Sequence, residues 1–308
     1  MRRTASILSA AALVLSGCTA SPGDAPVAVA TTTPLGSIVH DITACAGGTS
    51  ATLMGPGDDP HTFSVSSRQV AEMVRAKLVV SNGLGLEEGL TPALDNVRRD
   101  GGRVYEVGPK VDPIPFAEHA HDEAHAQGGE EHGTYDPHVW LDAKRMAKAA
   151  TAIGTQLKDA TGDARYTRCA TEVSAKLTET DATVRSTLQA VPKQRRTLVT
   201  DHDAMGYFAD AYGFTVVGVV VPGGSTDAEP SSAELAAIVA TVRRTGVPAI
   251  FSNTAVSPKL VESVAQETGR GVRVVPLYVG SVGPQGSGAE TYAGMMTKDA
   301  EAVAGALK

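Results

Sequence analysis

Short runs of β-branched residues alternate with helical patterns along most of the chain, and the arrangement occurs twice. The strand candidates are residues 27–32, 51–54, 77–81, 103–107, 197–200, 215–221, 249–252 and 272–278. The amphipathic stretches between them include residues 35–43, 67–76, 231–245 and 258–268. Ser66 or Ser67, and Ser231 or Ser232, are candidate N-caps of two of these helices. Such alternation predicts parallel sheets covered by helices on both faces.

Between the two sets of strands, residues 163–188 place apolar side chains at steps of three, four and seven, without Gly or Pro. This spacing predicts one long helix with a single apolar face. The predicted fold class is α/β, with two lobes that each hold a four-stranded, mainly parallel sheet. The lobes span 27–160 and 191–308, and a rigid helix at 161–190 joins them. Ligands bind at the carboxyl ends of parallel strands, so two facing lobes predict a cleft for a small solute.

The first residues predict the location of the protein. Residues 1–17 combine arginines with a short apolar run, as in a secretory signal peptide. The run ends in LSGC at 15–18, which resembles a bacterial lipobox, so Cys18 is the predicted lipidation site and 18–26 the tether. The alternative is an ordinary cleaved signal with a chance cysteine. The mature chain is expected outside the cytoplasm, anchored to a membrane through the lipid on Cys18.

Charge and cysteine content narrow the function classes. The net charge is −7 and no basic patch stands out, which argues against nucleic-acid binding. Besides Cys18, the chain has Cys45 and Cys169, which could form a disulfide in an oxidising compartment or be two small buried hydrophobic residues. Neither lies in a CxxC motif or a Cys/His cluster, so metal binding through sulfur is not expected.

Histidines carry the most informative chemistry. His61 follows a turn-rich loop after the second strand, His138 precedes a helix, and His202 follows the first strand of the second lobe. Each has carboxylates next to it that could fix the tautomer of the ring. Three converging imidazoles suit Zn²⁺, although three unrelated loop histidines remain the alternative. His40, inside a short helix, is expected to be structural.

Several motifs, in order, resemble those of the cluster A-I metal-binding proteins of bacterial ABC importers. They are GPGDDPHTF at 55–63, LVVSNGLGLEE at 78–88, DPHVWLD at 136–142, DHDAMGYFADAYG at 201–213 and ETYAGMM at 290–296. The resemblance implies two α/β lobes, a rigid linking helix and a metal between the lobes. It places His61, His138 and His202 on three metal ligands. It also implies a membrane permease with a cytoplasmic ATPase as partners, and a monomeric receptor.

The resemblance also bears on which metal is bound. Zinc-binding members usually have His at the third ligand position and manganese-binding members a carboxylate, so His202 favours zinc. The family's fourth ligand is an Asp, and here Gly280 takes that position. Water, an anion, Asp227, Glu229 or a loop histidine could complete the site. The family's Glu after the third strand of the second lobe is replaced by Asn253.

Residues 117–133 form an acidic, histidine-rich segment without residues suited to a core. Its position matches the His-rich loop of zinc-binding members of the family. His119, His121, His125 and His132 are therefore possible weak zinc ligands that could capture zinc for the main site. The alternative is a solvated loop whose histidines matter little.

The sequence therefore predicts a zinc receptor that delivers Zn²⁺ to a permease, and not an enzyme. The alternatives are a manganese receptor of the same family, a zinc buffer or adhesin without transport, and a zinc hydrolase. A hydrolase needs a positioned acid or base. Asp203 or Glu229 could be nominated, but no Ser/His/Asp or HExxH arrangement supports one.

Overall fold

A computed structural model describes residues 25–116 and 134–308. Within them the strands are β1 Ala28–Ala30, β2 Ser50–Thr52, β3 Leu78–Ser81, β4 Val104–Glu106, β5 Thr197–Thr200, β6 Thr215–Val219, β7 Ala249–Asn253 and β8 Arg273–Leu277. The α-helices are α1 Thr33–Cys45, α2 Ser67–Arg75, α3 Thr91–Arg99, α4 Ala143–Thr161, α5 Arg165–Leu188, α6 Gly206–Tyr212, α7 Ser232–Thr245, α8 Lys259–Glu267 and α9 Tyr292–Leu307. Every strand begins and ends within two residues of its predicted run.

The two sheets share one topology, which confirms the predicted α/β architecture. The orders are β2-β1-β3-β4 and β6-β5-β7-β8, and all neighbouring strands are parallel. Ser66 and Ser231 are the N-caps of α2 and α7, each in a capping box with Gln69 or Glu234. In both sheets the loops that follow the strands meet between the lobes, which is where the metal was expected.

Helix α5 is the long helix between the lobes. It contacts α1 on the N-terminal side and α9 on the C-terminal side, and it packs along α4. Helix α5 is shorter than the predicted 161–190. The preceding helix α4 runs to Thr161, and Gly162, with a left-handed φ of 78°, ends α4 there. A disulfide between Cys45 and Cys169 joins the end of α1 to α5.

The lobes are not packed as two separate cores. A central cluster of buried side chains includes residues of α1, α4, α5, α6 and α9 and of strands in both sheets. Two smaller clusters lie further out, one under α7 and α8 and one under α2 and α3. The shared central core fixes the inner faces of the lobes against each other. No helix in the described part of the chain is long and apolar enough to cross a membrane.

Candidate metal centre

Three histidine rings from three different loops meet between the lobes. The ring centroids of His61 and His138 lie 5.2 Å apart, those of His138 and His202 5.2 Å, and those of His61 and His202 5.7 Å. Each residue offers one nitrogen, and these atoms lie within 4.8 Å of one another. His138 and His202 are 1% and 2% exposed, whereas His61 is half-buried. The arrangement is typical of a site for one transition-metal ion.

Carboxylates fix the orientation of the two buried rings. Asp136 Oδ1 accepts hydrogen bonds from His138 Nδ1 at 2.8 Å and from its backbone N at 2.9 Å. Asp201 Oδ1 does the same for His202, at 2.9 Å and 2.8 Å. With the ring proton on Nδ1 in each pair, Nε2 is left as the acceptor that can bind a cation. His138 Nε2 lies 3.2 Å from His61 Nε2.

The pKa values of the buried groups reflect both burial and this carboxylate environment. Burial lowers the pKa of His138 well below its usual value, and the charge of His202 lowers it further. Burial also acts to lower the pKa of His202, but the hydrogen bond and charge of Asp201, with Asp59 and Asp203 nearby, raise it overall. Burial raises the pKa of Asp136 well above normal. A divalent cation held by these imidazoles would offset the negative charge of the carboxylates around them.

Gly280 lies beside the loop that carries His61. Its backbone N donates to Asn253 Oδ1 at 3.2 Å, and a Cβ at Gly280 would stand 3.1 Å from Asn253 Nδ2 and 3.4 Å from Pro60 Cδ. Asn253 N in turn donates to Asp201 Oδ2 at 2.6 Å. Gly280 therefore lies beside Pro60 and Asn253 and offers no side chain as a metal ligand.

The other candidate residues are not members of the three-histidine cluster in the described part of the chain. Asp227 and Glu229 are exposed, and the Asp227 carboxylate accepts a hydrogen bond from Ser225. Asp203 is buried next to His202, and its backbone N donates to Gly223 O at 3.1 Å. His40 is exposed on α1. Cys18 and the four histidines His119, His121, His125 and His132 lie outside the described residues.

The segment that carries His138 is held by the C-terminal lobe, which sequence reasoning missed. Tyr207 Oη donates to Asp136 O at 2.7 Å, Trp140 Nε1 donates to Val279 O at 2.8 Å, and Tyr292 Oη donates to Trp140 O at 2.7 Å. No periodicity or local motif in the sequence indicates these pairs. His138 and His202 are therefore fixed to the same part of the molecule, and His61 approaches them from the other side.

Comparison with known proteins identifies the family. The family model described as zinc-uptake complex component A, periplasmic (ZnuA), matches residues 28–306. The chain belongs to the ZnuA family. This confirms the resemblance to cluster A-I receptors and places the chain among metal-binding receptors of ABC importers, not among enzymes.

The relatives of this chain are named as binding different cations. The zinc-binding protein TroA of Treponema pallidum is 33% identical over 261 residues, which cover 83% of this chain and 80% of TroA. The manganese-binding lipoprotein MntA of Halalkalibacterium halodurans is 28% identical over 299 residues, which cover 94% and 93% of the two chains. The manganese ABC transporter substrate-binding lipoprotein PsaA of Streptococcus mitis is 27% identical over 285 residues, covering 88% and 87%.

The solved structure of TroA confirms the fold of this ZnuA-family chain. It matches with a TM-score of 0.78 and 30% sequence identity, over 92% of this chain and 99% of TroA. Membership of the family therefore establishes a transition-metal receptor, and the choice of cation has to be argued from the ligands of this chain.

Proposed function

We propose that this chain is the zinc-binding receptor of an ABC importer and holds Zn²⁺ through His61, His138 and His202. The observation that carries the proposal is the ligand set, which consists of three imidazoles. Imidazole suits zinc, whereas manganese prefers oxygen ligands. Two nitrogens bound to a tetrahedral zinc ion stand about 3.3 Å apart. The 3.2 Å between the Nε2 atoms of His61 and His138 is compatible with that geometry.

The remaining parts of the proposal follow the relatives and the N-terminus. We expect the receptor to deliver its ion to a membrane permease driven by a cytoplasmic ATPase. PsaA is named as the substrate-binding lipoprotein of a manganese ABC transporter. We expect a monomer outside the cytoplasm, anchored through a lipid on Cys18. The histidines of residues 117–133 would collect zinc and pass it to the cleft. Delivery requires only ligand exchange at the metal.

The test is a competition titration of the metal-free full chain with Zn²⁺ and then Mn²⁺ against a chelator of known affinity. We expect one tight zinc ion and much weaker manganese binding. His202→Ala should abolish the tight site, and His40→Ala, which removes an exposed histidine far from the cluster in sequence, should leave it unchanged.

Two results would contradict this proposal. Manganese binding tighter than zinc binding would make the chain a manganese receptor, the function named for MntA and PsaA. Zinc binding that survives His202→Ala but disappears when residues 117–133 are deleted would point to a zinc buffer.

A further inference from the structure

The loop of residues 55–61, here called the His61 loop, crosses from the N-terminal lobe to the C-terminal lobe. Gly57 N donates a hydrogen bond to Ser281 Oγ at 2.9 Å, and Thr226 Oγ1 donates to Asp59 Oδ2. Ser281 lies in the loop after β8 and Thr226 in the loop after β6. The His61 loop is thus attached to the opposite lobe at two separate points.

Asp59 connects one of these attachments directly to the metal-binding residue. Its Oδ1 accepts a hydrogen bond from the backbone N of His61 at 3.1 Å, while its Oδ2 accepts from Thr226. The neighbouring Asp58 differs, because its Oδ2 accepts from Gly55 N at 2.7 Å, within the same loop. Of these two adjacent carboxylates, Asp59 therefore accepts a hydrogen bond across the cleft, whereas Asp58 accepts one within its own loop.

The loop that carries Thr226 is itself fixed by contacts with neighbouring segments. Gly223 O accepts a hydrogen bond from Asp203 N at 3.1 Å, which ties the loop to the residue after His202. A Cβ at Gly224 would stand only 2.3 Å from Phe116 Cζ, so the Phe116 ring packs directly on the backbone there. This loop can therefore serve as a fixed anchor for Asp59.

The three metal-binding rings differ in how firmly they are held. His138 and His202 are almost fully buried and hydrogen-bonded to carboxylates, and the segment of His138 is attached to the C-terminal lobe. His61 is half-buried on a loop whose attachments cross the cleft. Release of the ion is therefore easiest when the His61 loop leaves first.

We propose that Asp59, through Thr226, is a positioning residue that holds His61 against the other two imidazoles and so controls how fast the bound ion leaves. The inference rests on the proposed zinc site. Zinc should stay bound while the Asp59–Thr226 hydrogen bond keeps the His61 loop across the cleft. Loss of this hydrogen bond should expose the ion to competing ligands, including those of a permease.

The first experiment measures zinc dissociation from the full chain after rapid mixing with excess chelator. Thr226→Val should release zinc about tenfold faster than the wild type. Asp59→Ala should release it at least as fast, because it also loses the hydrogen bond from His61 N, and the double variant should be no faster than Asp59→Ala. Thr226→Ser keeps the hydroxyl and should release zinc at the wild-type rate. Asp58→Ala removes the same charge without breaking the contact across the cleft, so its effect should be clearly smaller.

The second experiment does not depend on metal. In the metal-free full chain, amide hydrogen exchange at Gly57 and His61 should be faster in Thr226→Val than in the wild type or Thr226→Ser. If the proposed zinc site is wrong, the wild type will bind no zinc. The exchange data would still show whether the Asp59–Thr226 hydrogen bond holds the His61 loop. The inference is overturned if Thr226→Val exchanges like the wild type, or if Asp58→Ala and Asp59→Ala accelerate zinc release equally.

Discussion

Single carboxylates behind two of the imidazoles fix the orientation of the rings that would bind a cation. Asp136 and Asp201 each bind both the backbone N and the Nδ1 of the histidine that follows them closely in sequence. Because the partners are only one or two residues apart, the sequence motifs already indicate the pairs. A carboxylate that accepts from Nδ1 makes the imidazole a stronger ligand through Nε2.

Replacement of Asp201 by Ala should weaken zinc binding roughly 10- to 100-fold, because outer partners of metal-binding histidines typically contribute this much. His202 would lose the acceptor of its Nδ1, and Asn253 N would lose its acceptor as well. A chelator competition titration measures the change. Asp210→Ala, which removes a largely exposed carboxylate of α6, is the matched control. Equal affinities for Asp201→Ala and the wild type would show that the ring needs no such partner.

Gly280 offers a test of selectivity at one residue. Gly280→Asp would place a carboxylate beside Pro60 and Asn253, where the added Cβ is tight but not blocked. An added oxygen ligand should raise manganese affinity more than zinc affinity, by about tenfold in the ratio of the two. The competition titration for both ions measures this ratio, and Gly280→Ala controls for the added bulk. A ratio that does not change would mean that the carboxylate cannot reach the ion.

The residues of the site differ in how far the sequence could predict them. His61, His138 and His202 stand in motifs that resemble a known family, so their meeting was expected. The contact between Asp59 and Thr226 joins residues 167 positions apart. Both residues lie in irregular loops, where neither periodicity nor a motif relates one to the other. Such contacts depend on how two complete lobes meet, and only the structure gives them.

At the scale of elements, local patterns predicted most of the fold. Strands such as β5, with the sequence TLVT, lie in short β-branched runs. The capping boxes at Ser66 and Ser231 mark helix starts by residues three apart. The linking helix was predicted too long, since Gly162 separates α4 from α5. The pairing of α4 with α5 was not predicted, because an apolar face does not specify its partner.

Helix α9 carries a buried carboxyl that should make stability depend on pH. Asp299 is 4% exposed, its Oδ1 accepts from Tyr278 N at 2.8 Å, and burial raises its pKa to about 7. Between the unfolded value near 4 and the folded value, the folded chain holds a proton that the unfolded chain has released. The contribution of Asp299 to stability is therefore greatest at low pH and is lost as the pH rises towards neutrality.

Replacement of Asp299 by Asn keeps the acceptor for Tyr278 N but cannot ionise. The variant should be more stable than the wild type by roughly 4 kcal/mol at pH 8, and the difference should shrink towards pH 4. Denaturant unfolding of the metal-free chain at several pH values measures this difference. A constant difference across the range would show that folding does not raise the pKa of Asp299.

The disulfide between Cys45 and Cys169 links α1 to α5 across 124 positions of sequence. Loss of a cross-link that closes so long a loop should lower the free energy of unfolding by roughly 2–5 kcal/mol. The double variant Cys45→Ala/Cys169→Ala should show this loss in denaturant unfolding, with zinc binding retained. A reductant should destabilise the wild type and leave the double variant unaffected. If the reductant affects neither, the disulfide does not form in solution.

For the whole molecule, the shared central core argues against large closure of the lobes around the metal. Besides the core, hydrogen bonds such as Val282 N to Thr33 Oγ1 at 2.9 Å and Tyr292 N to Ser37 Oγ at 3.0 Å tie the C-terminal lobe to α1. Closure as two rigid bodies would have to break these contacts and expose apolar side chains of α1 and α9. Movement of the His61 loop leaves the core intact and requires far less rearrangement.

Zinc should therefore change the overall dimensions of the molecule very little. In solution X-ray scattering, the radius of gyration of the full chain with and without Zn²⁺ should differ by less than about 1 Å. Amide hydrogen exchange should meanwhile slow at residues 55–61, which carry His61, and stay unchanged along α5, which supplies no ligand to the ion. His202→Ala in the same zinc buffer should not slow exchange at residues 55–61. Contraction by several ångströms would mean that the lobes move as bodies and that the central core opens in the metal-free state.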